Sequence, residues 1–403
     1  MPAASEPVVA LEIGTSKVIA LVAELREDGH AMVIGLGQQP SAGVRKGQVI
    51  DLQNATESVR TALLQAEENA DVEIAKIVLS ISGGHIQSVV NRGYVTVVDP
   101  HYEITAETIE EVAEIAAAAP LTLDCEKIHT IRQNFSLDGK DAVSNPLGME
   151  ARVLHLSSLV IYGAQTPINN TIKVIQSLKL EVEDVAFSGL CSALAVLTPE
   201  QKQSGAVVLD IGAGTIDFLV YADNVVASAG SIGVGGEHLT NDVALGLNLP
   251  RPQAEWLKLE HGSALECDDD SDSKVSIPAD GGFSGRQVSL RALRTILHAR
   301  ADEMLRIVHD RLAELDLLHH MAGGVVITGG CARLPGLTDL ALSVFNCPCQ
   351  IGYPRNISGL MAVSEGPEFA TASGLIRYAY QGRGVRQKPR NGGLFNWILG
   401  RSS

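Results

Sequence analysis

The chain has 403 residues, 45% of them hydrophobic and 19% charged. That is enough for two or three cored domains of roughly 150 residues and too apolar for a disordered chain. A net charge of −16 and an aromatic content of 4% exclude broad nucleic-acid binding, which needs a basic surface or stacking platforms.

Residues 8–23 hold two apolar, β-rich runs around Gly14-Thr15-Ser16-Lys17 and predict a hairpin. A helix over 54–70 and a strand over 75–82 follow. Residues 83–163 read as a self-contained α+β unit, with strands near 86–98, 127–136 and 151–163 and a helix over 105–119 closed by Pro120. After a helix over 168–179, a second hairpin at 206–222 flanks Gly212-Ala213-Gly214-Thr215, half a chain from the first. Each hairpin has an acid two residues before its glycine, Glu12 and Asp210. The spacing predicts two related domains rather than a solenoid.

Beyond it come the glycine-bearing stretch 231–237 and helices over 237–247 and 252–261. The acidic run 266–272 and Gly281-Gly282 mark exposed loops. Residues 290–317 are apolar at helical spacing. A buried strand then ends in Gly329-Gly330, and a last helix falls near 368–380. The six cysteines include one close pair, Cys347 and Cys349, without zinc spacing, and read as thiols of a reducing cytosol. No signal peptide is visible, and no apolar stretch reaches a clean run of 18 residues.

After Glu368 there is no acidic residue, while Arg377, Arg383, Arg386, Lys388, Arg390 and Arg401 follow. Leu394, Phe395, Trp397, Ile398 and Leu399 would share one broad face of a helix. A short aromatic-bearing helix behind a basic linker has the pattern of an interfacial membrane anchor. A helix docking on its own core or on a partner is the competing reading.

A turn of Gly, Thr and Ser can wrap a phosphate, because no Cβ blocks approach to its N–H groups. An adjacent acid can hold a hydrated magnesium ion. Two such hairpins predict a polyphosphate in a cleft between two domains.

The segments LEIGTSKV, LDIGAGTIDF and VVITGGCARLPG together resemble the phosphate and adenosine motifs of the actin-like ATPase superfamily. Finer segments resemble the FtsA family of bacterial cell-division proteins within it. They are Ile81–Ile86, Gly235–Asp242, Ala254–Lys258 followed by His261-Gly262, and Ala370–Leu375. The resemblance covers about residues 7–380, with a matching tail. It implies a two-domain actin-like α/β fold, each half ribonuclease H-like, with nucleotide in the interdomain cleft and an inserted α+β subdomain. The implied division is 1–83, 164–200 and 367–380 for the first domain, and 84–163 for the insertion. The second domain takes 201–226 and 307–366, with its outer lobe at 227–306. A basic linker at 381–392 precedes a membrane-targeting helix at 393–403.

The resemblance also implies roles. ATP would lie against Gly14, Thr15, Ser16, Lys17, Asp210, Gly212, Gly214, Thr215, Gly235, Gly236, Glu255, Lys258, Gly329 and Gly330. Magnesium would lie near Glu12 and Asp210. Arg286 and Arg300 would receive the C-terminal peptide of the tubulin-like protein FtsZ. Further expected partners are anionic lipid, other copies of the chain and other division proteins, with no nucleic acid. The expected place is the cytoplasmic face of the membrane at the septum. Two features depart from the superfamily pattern: Glu12 stands where Asp is usual, and residues 186–199 lack the Gln or Glu that orients an attacking water. Tight binding with slow hydrolysis is therefore expected. A pilus-assembly adaptor of the same fold and a sugar or carboxylate kinase are the alternatives. A chaperone would need a substrate domain that the chain after residue 330 has no room for.

Overall fold

The computed structural model describes residues 6–386 apart from 27–29, 267–272, 279–284, 361–362 and 364. Leu394, Phe395, Trp397, Ile398 and Leu399, most of the acidic run and Gly281-Gly282 lie outside the described residues.

Two sheets carry the molecule, and they share one strand order. In the first, Ala31–Pro40, Lys17–Leu25 and Val8–Ile13 run antiparallel, and Lys76–Ile81 and Glu181–Phe187 then add in parallel. In the second, Val225–Ile232, Ile216–Ala222 and Ala206–Ile211 run antiparallel, followed in parallel by Val325–Thr328 and Cys349–Ile351. The duplication expected from the two hairpins therefore extends to five strands each.

Apolar residues run almost unbroken along the hairpin strands because both faces of each sheet are covered. Val9, Leu11, Val18, Ala20 and Val22 pack with Ala55, Val59, Ala62 and Ala66 of helix Leu52–Ala70. Their neighbours Val8, Ala10, Ile19 and Leu21 point the other way. They share a core with Ala206, Val208, Leu219 and Val326 of the second sheet. Helices Ser188–Val196 and Ala370–Arg386 lie in that shared core, contributing Leu190, Cys191, Ala193, Ala372, Leu375 and Ile376. The outer face of the second sheet packs on helix Leu290–Glu314 through Leu293, Leu297, Leu305 and Val308.

The inserted unit is a four-stranded antiparallel sheet, Gln87–Thr96, Val153–Ala164, Cys125–Leu137 and Lys140–Val143 in spatial order. Its own core joins Val95, Val112, Ala116, Phe135, Leu154 and Leu156, with helix Ala106–Ala117 across it. It also touches the second domain: Ser88 Oγ donates to Ala229 O at 2.6 Å, and Gln133 Nε2 to Val226 O at 2.8 Å.

Three expected boundaries move. The outer lobe, expected from residue 227, begins inside Val225–Ile232, which is an integral sheet strand. Residues 357–358, expected in the second domain, pair with Ala31 and Met32 of the first sheet. Residues 381–386, expected as linker, continue the last helix to Arg386. The third strand of each sheet escapes the pattern reading for one reason. Ala31–Pro40 carries Gly35 and Gly37, and Val225–Ile232 is rich in Ala, Ser and Gly, so neither scores as β. Both glycines of the first are pressed against backbone atoms of helix Leu52–Ala70.

The insertion is fastened to the first domain by His129. The buried ring accepts the Phe187 N–H on Nε2 at 2.9 Å and meets the Tyr378 ring edge-on at 5.5 Å. Burial pulls its pKa down to about 4. The unfolded chain therefore binds a proton that the folded one refuses between about pH 6.5 and 4, and stability falls as pH drops through that window. His129→Gln should flatten the acid side of the melting-temperature profile; an unchanged slope in thermal melts from pH 7 to 4 would show that the ring is not the titrating group.

Candidate functional site

Both hairpin turns close in the same way. Gly14 N–H donates to Lys17 O at 3.0 Å, and Gly212 N–H to Thr215 O at 2.9 Å. The N–H groups of Thr15, Ser16, Ala213 and Gly214 take no partner among the described residues, so each tip presents open donors. The tips face each other across a cleft of about 710 Å³. Glu12, Gly14, Thr15, Ser16 and Lys17 line it from one side. Asp210, Gly212, Gly214, Thr215, Gly236, Glu255, Lys258, Gly329 and Gly330 line it from the other.

Gly235 is the exception. It sits behind the second tip, where a Cβ would fall 2.5 Å from Gly212 O and 2.7 Å from Ala213 O. Its role is to let helix Gly236–Gly246 start against the turn, and Gly236 N–H donates to Gly212 O at 3.0 Å. Gly329 faces the cleft with φ +84°, and a Cβ there would meet Ile211 O at 2.7 Å and crowd the Asp210 carboxylate.

Three carboxyl groups gather beneath the tips, Asp217 buried and Glu12 and Asp210 half-buried. Asp210 and Asp217 are direct cross-strand partners. Asp210 Oδ2 accepts from Ser192 Oγ at 2.5 Å and from Thr371 Oγ1 at 2.7 Å. Asp217 Oδ1 accepts from Ser82 Oγ at 2.7 Å. Glu12 receives a backbone N–H from Ala372, yet its Oε2 is buried without a partner. Burial, reinforced by Asp210, pushes Glu12 up to about 8 and Asp217 to about 7. Burial also raises Asp210, against the pull of its two hydroxyl donors. Lys17 is lowered by burial against the opposing pull of Glu12.

The cleft wall carries further cations. Lys258 Nζ donates to Glu255 Oε2 at 2.8 Å, Thr240 Oγ1 at 2.9 Å and Gly236 O at 3.3 Å, and Glu255 also accepts from Thr240. Arg333 lines the cleft while holding Glu368 through two bonds of 2.8 and 3.0 Å, and Arg251 lines it beside Glu237. Open N–H groups, four cations and a buried carboxyl oxygen form the donor set for a polyanion with a hard cation. Among the described residues no three His, Cys, Asp or Glu are grouped to hold a metal alone. Magnesium characteristically needs only one or two carboxylates when phosphates and water complete its shell. The unpartnered Glu12 oxygen fits that demand.

Sequence reading missed Ser192, Thr371, Arg333 and Glu368. Thr371 lay inside a segment already singled out, but nothing local tied it to Asp210. His85 and His238 serve locally: Nδ1 of each accepts a backbone N–H, from Ala164 and Gly235. Arg286 and Arg300 lie outside the cleft and have internal partners. Arg286 donates to the Leu247 and Asn248 carbonyls, and Arg300 pairs with Asp242 and Glu303.

Comparison with known proteins places this architecture. A family model described as cell division protein FtsA matches residues 207–374, and one described as the SHS2 domain inserted in FTSA matches 83–162. The chain is 33% identical to the cell division protein FtsA of Escherichia coli strain K12, over 97% of this chain and 95% of that one. It is 32% identical to the counterpart from Pseudomonas aeruginosa, over 93% and 89%. Among solved structures it is similar to the PilM-PilN type IV pilus biogenesis complex, with TM-score 0.61, 16% identity and coverage of 92% and 97%. It is also similar to MreB5 of Spiroplasma citri bound to ADP, with TM-score 0.57, 14% identity and coverage of 95% and 98%. The fold is actin-like.

The raised Glu12 pKa fixes a sign. Between about pH 4.5 and 8 the folded protein keeps a proton that the unfolded chain releases, so this group lowers stability as pH rises through that window. Glu12→Gln should melt like the parent at pH 4.5 and at least about 2 °C higher at pH 8. A difference independent of pH in paired melts would contradict the buried-acid reading.

Proposed function

This chain belongs to the FtsA family of cell division proteins, and on that premise we propose that it binds ATP in the interdomain cleft and links the FtsZ ring to the cytoplasmic membrane. The observation that carries the reading is the pair of matched turns with open donors facing each other over one cleft. The triphosphate would lie between the tips, near Lys17. Glu12 and Asp210 would hold magnesium, which screens the phosphates. Glu255 and Lys258 would meet the ribose and base, with Gly329 and Gly330 against the adenine. Helix Ser188–Val196 offers serine hydroxyls where a water-orienting Gln or Glu would stand, so hydrolysis is slow and ATP acts as a ligand that closes the cleft and favours self-association.

Attachment to the membrane would come from residues 393–403. Among the described residues no helix is long and apolar enough to cross a bilayer. An amphipathic segment with Trp397 and Phe395 enters the interface instead, aided by the preceding arginines at about 1 kcal/mol each near anionic lipid. The FtsZ peptide would bind the outer lobe near Arg286, which holds two backbone carbonyls, and Arg300, which already pairs with Asp242 and Glu303, and later division proteins would assemble on the polymer. The pilus-adaptor alternative rests on fold similarity at 16% identity, and the division relatives at 32–33% outweigh it.

ATP with magnesium should raise the melting temperature, and Asp210→Ala or Gly329→Asp should abolish the rise; no shift at millimolar ATP in the intact protein refutes the cleft reading. Phosphate release should stay far below the roughly 1–100 per second of kinases. Trp397→Glu should release the protein from anionic vesicles in flotation, with salt weakening the parent only partly because apolar burial persists when charge is screened. Equal flotation of parent and variant would refute the anchor.

A further inference from the structure

A second groove, of about 490 Å³, lies away from the cleft. Its walls are the start of the inserted strand Cys125–Leu137, helix Gln165–Ser177 and Glu181–Phe187, the outermost strand of the first sheet. The floor is apolar, with Ile128, Ile168, Ile172, Leu180, Val182 and Val185. The rim is acidic, with Glu126, Glu181 and Asp184 against one cation, Lys127.

We propose that this groove holds the chain's own C-terminal segment, Leu394 to Leu399, when no membrane is present. This rests on the reading of that segment as a membrane anchor: the groove would shield the apolar face that lipid later takes.

Three observations select this occupant. The first is where the chain leaves the described structure. Tyr378 Oη donates to Asp184 Oδ2 on the groove rim at 3.3 Å, and the helix carrying Tyr378 is described as far as Arg386. Eight helical residues carry the chain about 12 Å beyond that contact. The eight steps from Arg386 to Leu394 reach up to about 29 Å when extended, so a return to the groove is within range. The second is charge. The tail carries Lys388, Arg390 and Arg401 and no acid, which complements three rim carboxylates. The third is chemistry: five large apolar residues in six positions match a floor of isoleucine, leucine and valine, and exposing them in water is unfavourable.

The test uses the full chain with Trp256→Phe, which leaves Trp397 as the only tryptophan. Without lipid, Trp397 emission should lie to the blue of a synthetic peptide of residues 387–403, at every protein concentration. The rim reversal Glu126→Lys with Glu181→Lys, at two exposed positions, should return the emission towards the peptide. It should also raise the bound fraction at least threefold on limiting phosphatidylglycerol–phosphatidylcholine vesicles. Emission equal to the free peptide overturns the proposal. So does a blue shift that grows with protein concentration, which assigns the contact to a second copy, or a rim reversal that changes neither readout. If the blue shift and its loss on reversal hold while no variant binds vesicles, the docking stands and the membrane reading falls.

Discussion

Gathering three carboxyl groups, one buried and two half-buried, at the seam between two domains is the constraint on which the rest depends. Such groups are tolerated only when neutralised or hydrogen-bonded, and here the donors come from distant parts of the chain. Ser192 stands on the helix leading out of the first domain, and Thr371 on the helix that re-enters it. The two hydroxyls also bond each other at 2.9 Å. Asp210 thereby fixes both crossing helices, and the backbone of Ala372 does the same for Glu12.

The duplication explains why the acids gather and why the halves differ. Each sheet presents its hairpin turn between the second and third strands of the same five-strand order, so packing the sheets on a shared core brings the turns face to face. Cross-strand register then sets the local chemistry. Glu12 stands opposite Ile19, whereas Asp210 stands opposite Asp217. The second half supplies two acids and the first half one longer acid beside Lys17. Ser82, at the end of a first-domain strand, reaches over to Asp217 and to Thr215 at 3.1 Å, adding a polar contact across the seam.

The sequence made the turns legible because a phosphate-type turn is a local demand: small residues, free donors, an acid at fixed offset. Gly212, Gly214 and Gly329 could be read that way. Gly235 could not be read correctly, because its need for a bare backbone comes from the carbonyls of residues 212 and 213 beneath it. Thr371 and Arg333 were invisible for a related reason: a threonine or arginine near a glycine turn acquires meaning only when residue 210 or 368 is brought to it. The inserted subdomain was legible as a unit because its core is closed among its own residues. Its attachment through His129 and Phe187 was not, since one buried histidine has no periodic signature.

The same seam bears on turnover. Acyl or phosphoryl transfer to water needs a group that orients or deprotonates the water. On helix Ser188–Val196 both candidate hydroxyls are committed, Ser188 to Ile81 O at 3.0 Å and Ser192 to Asp210. Burial holds Glu12 near 8 and Asp217 near 7, and Asp217 already accepts a hydrogen bond from Ser82. Asp210 has one oxygen engaged by two donors. On the proposed reading, the hydroxyls of helix Ser188–Val196 that could orient a water are instead committed to holding the seam together. On that reading the site would serve as a ligand-dependent clasp between the two domains.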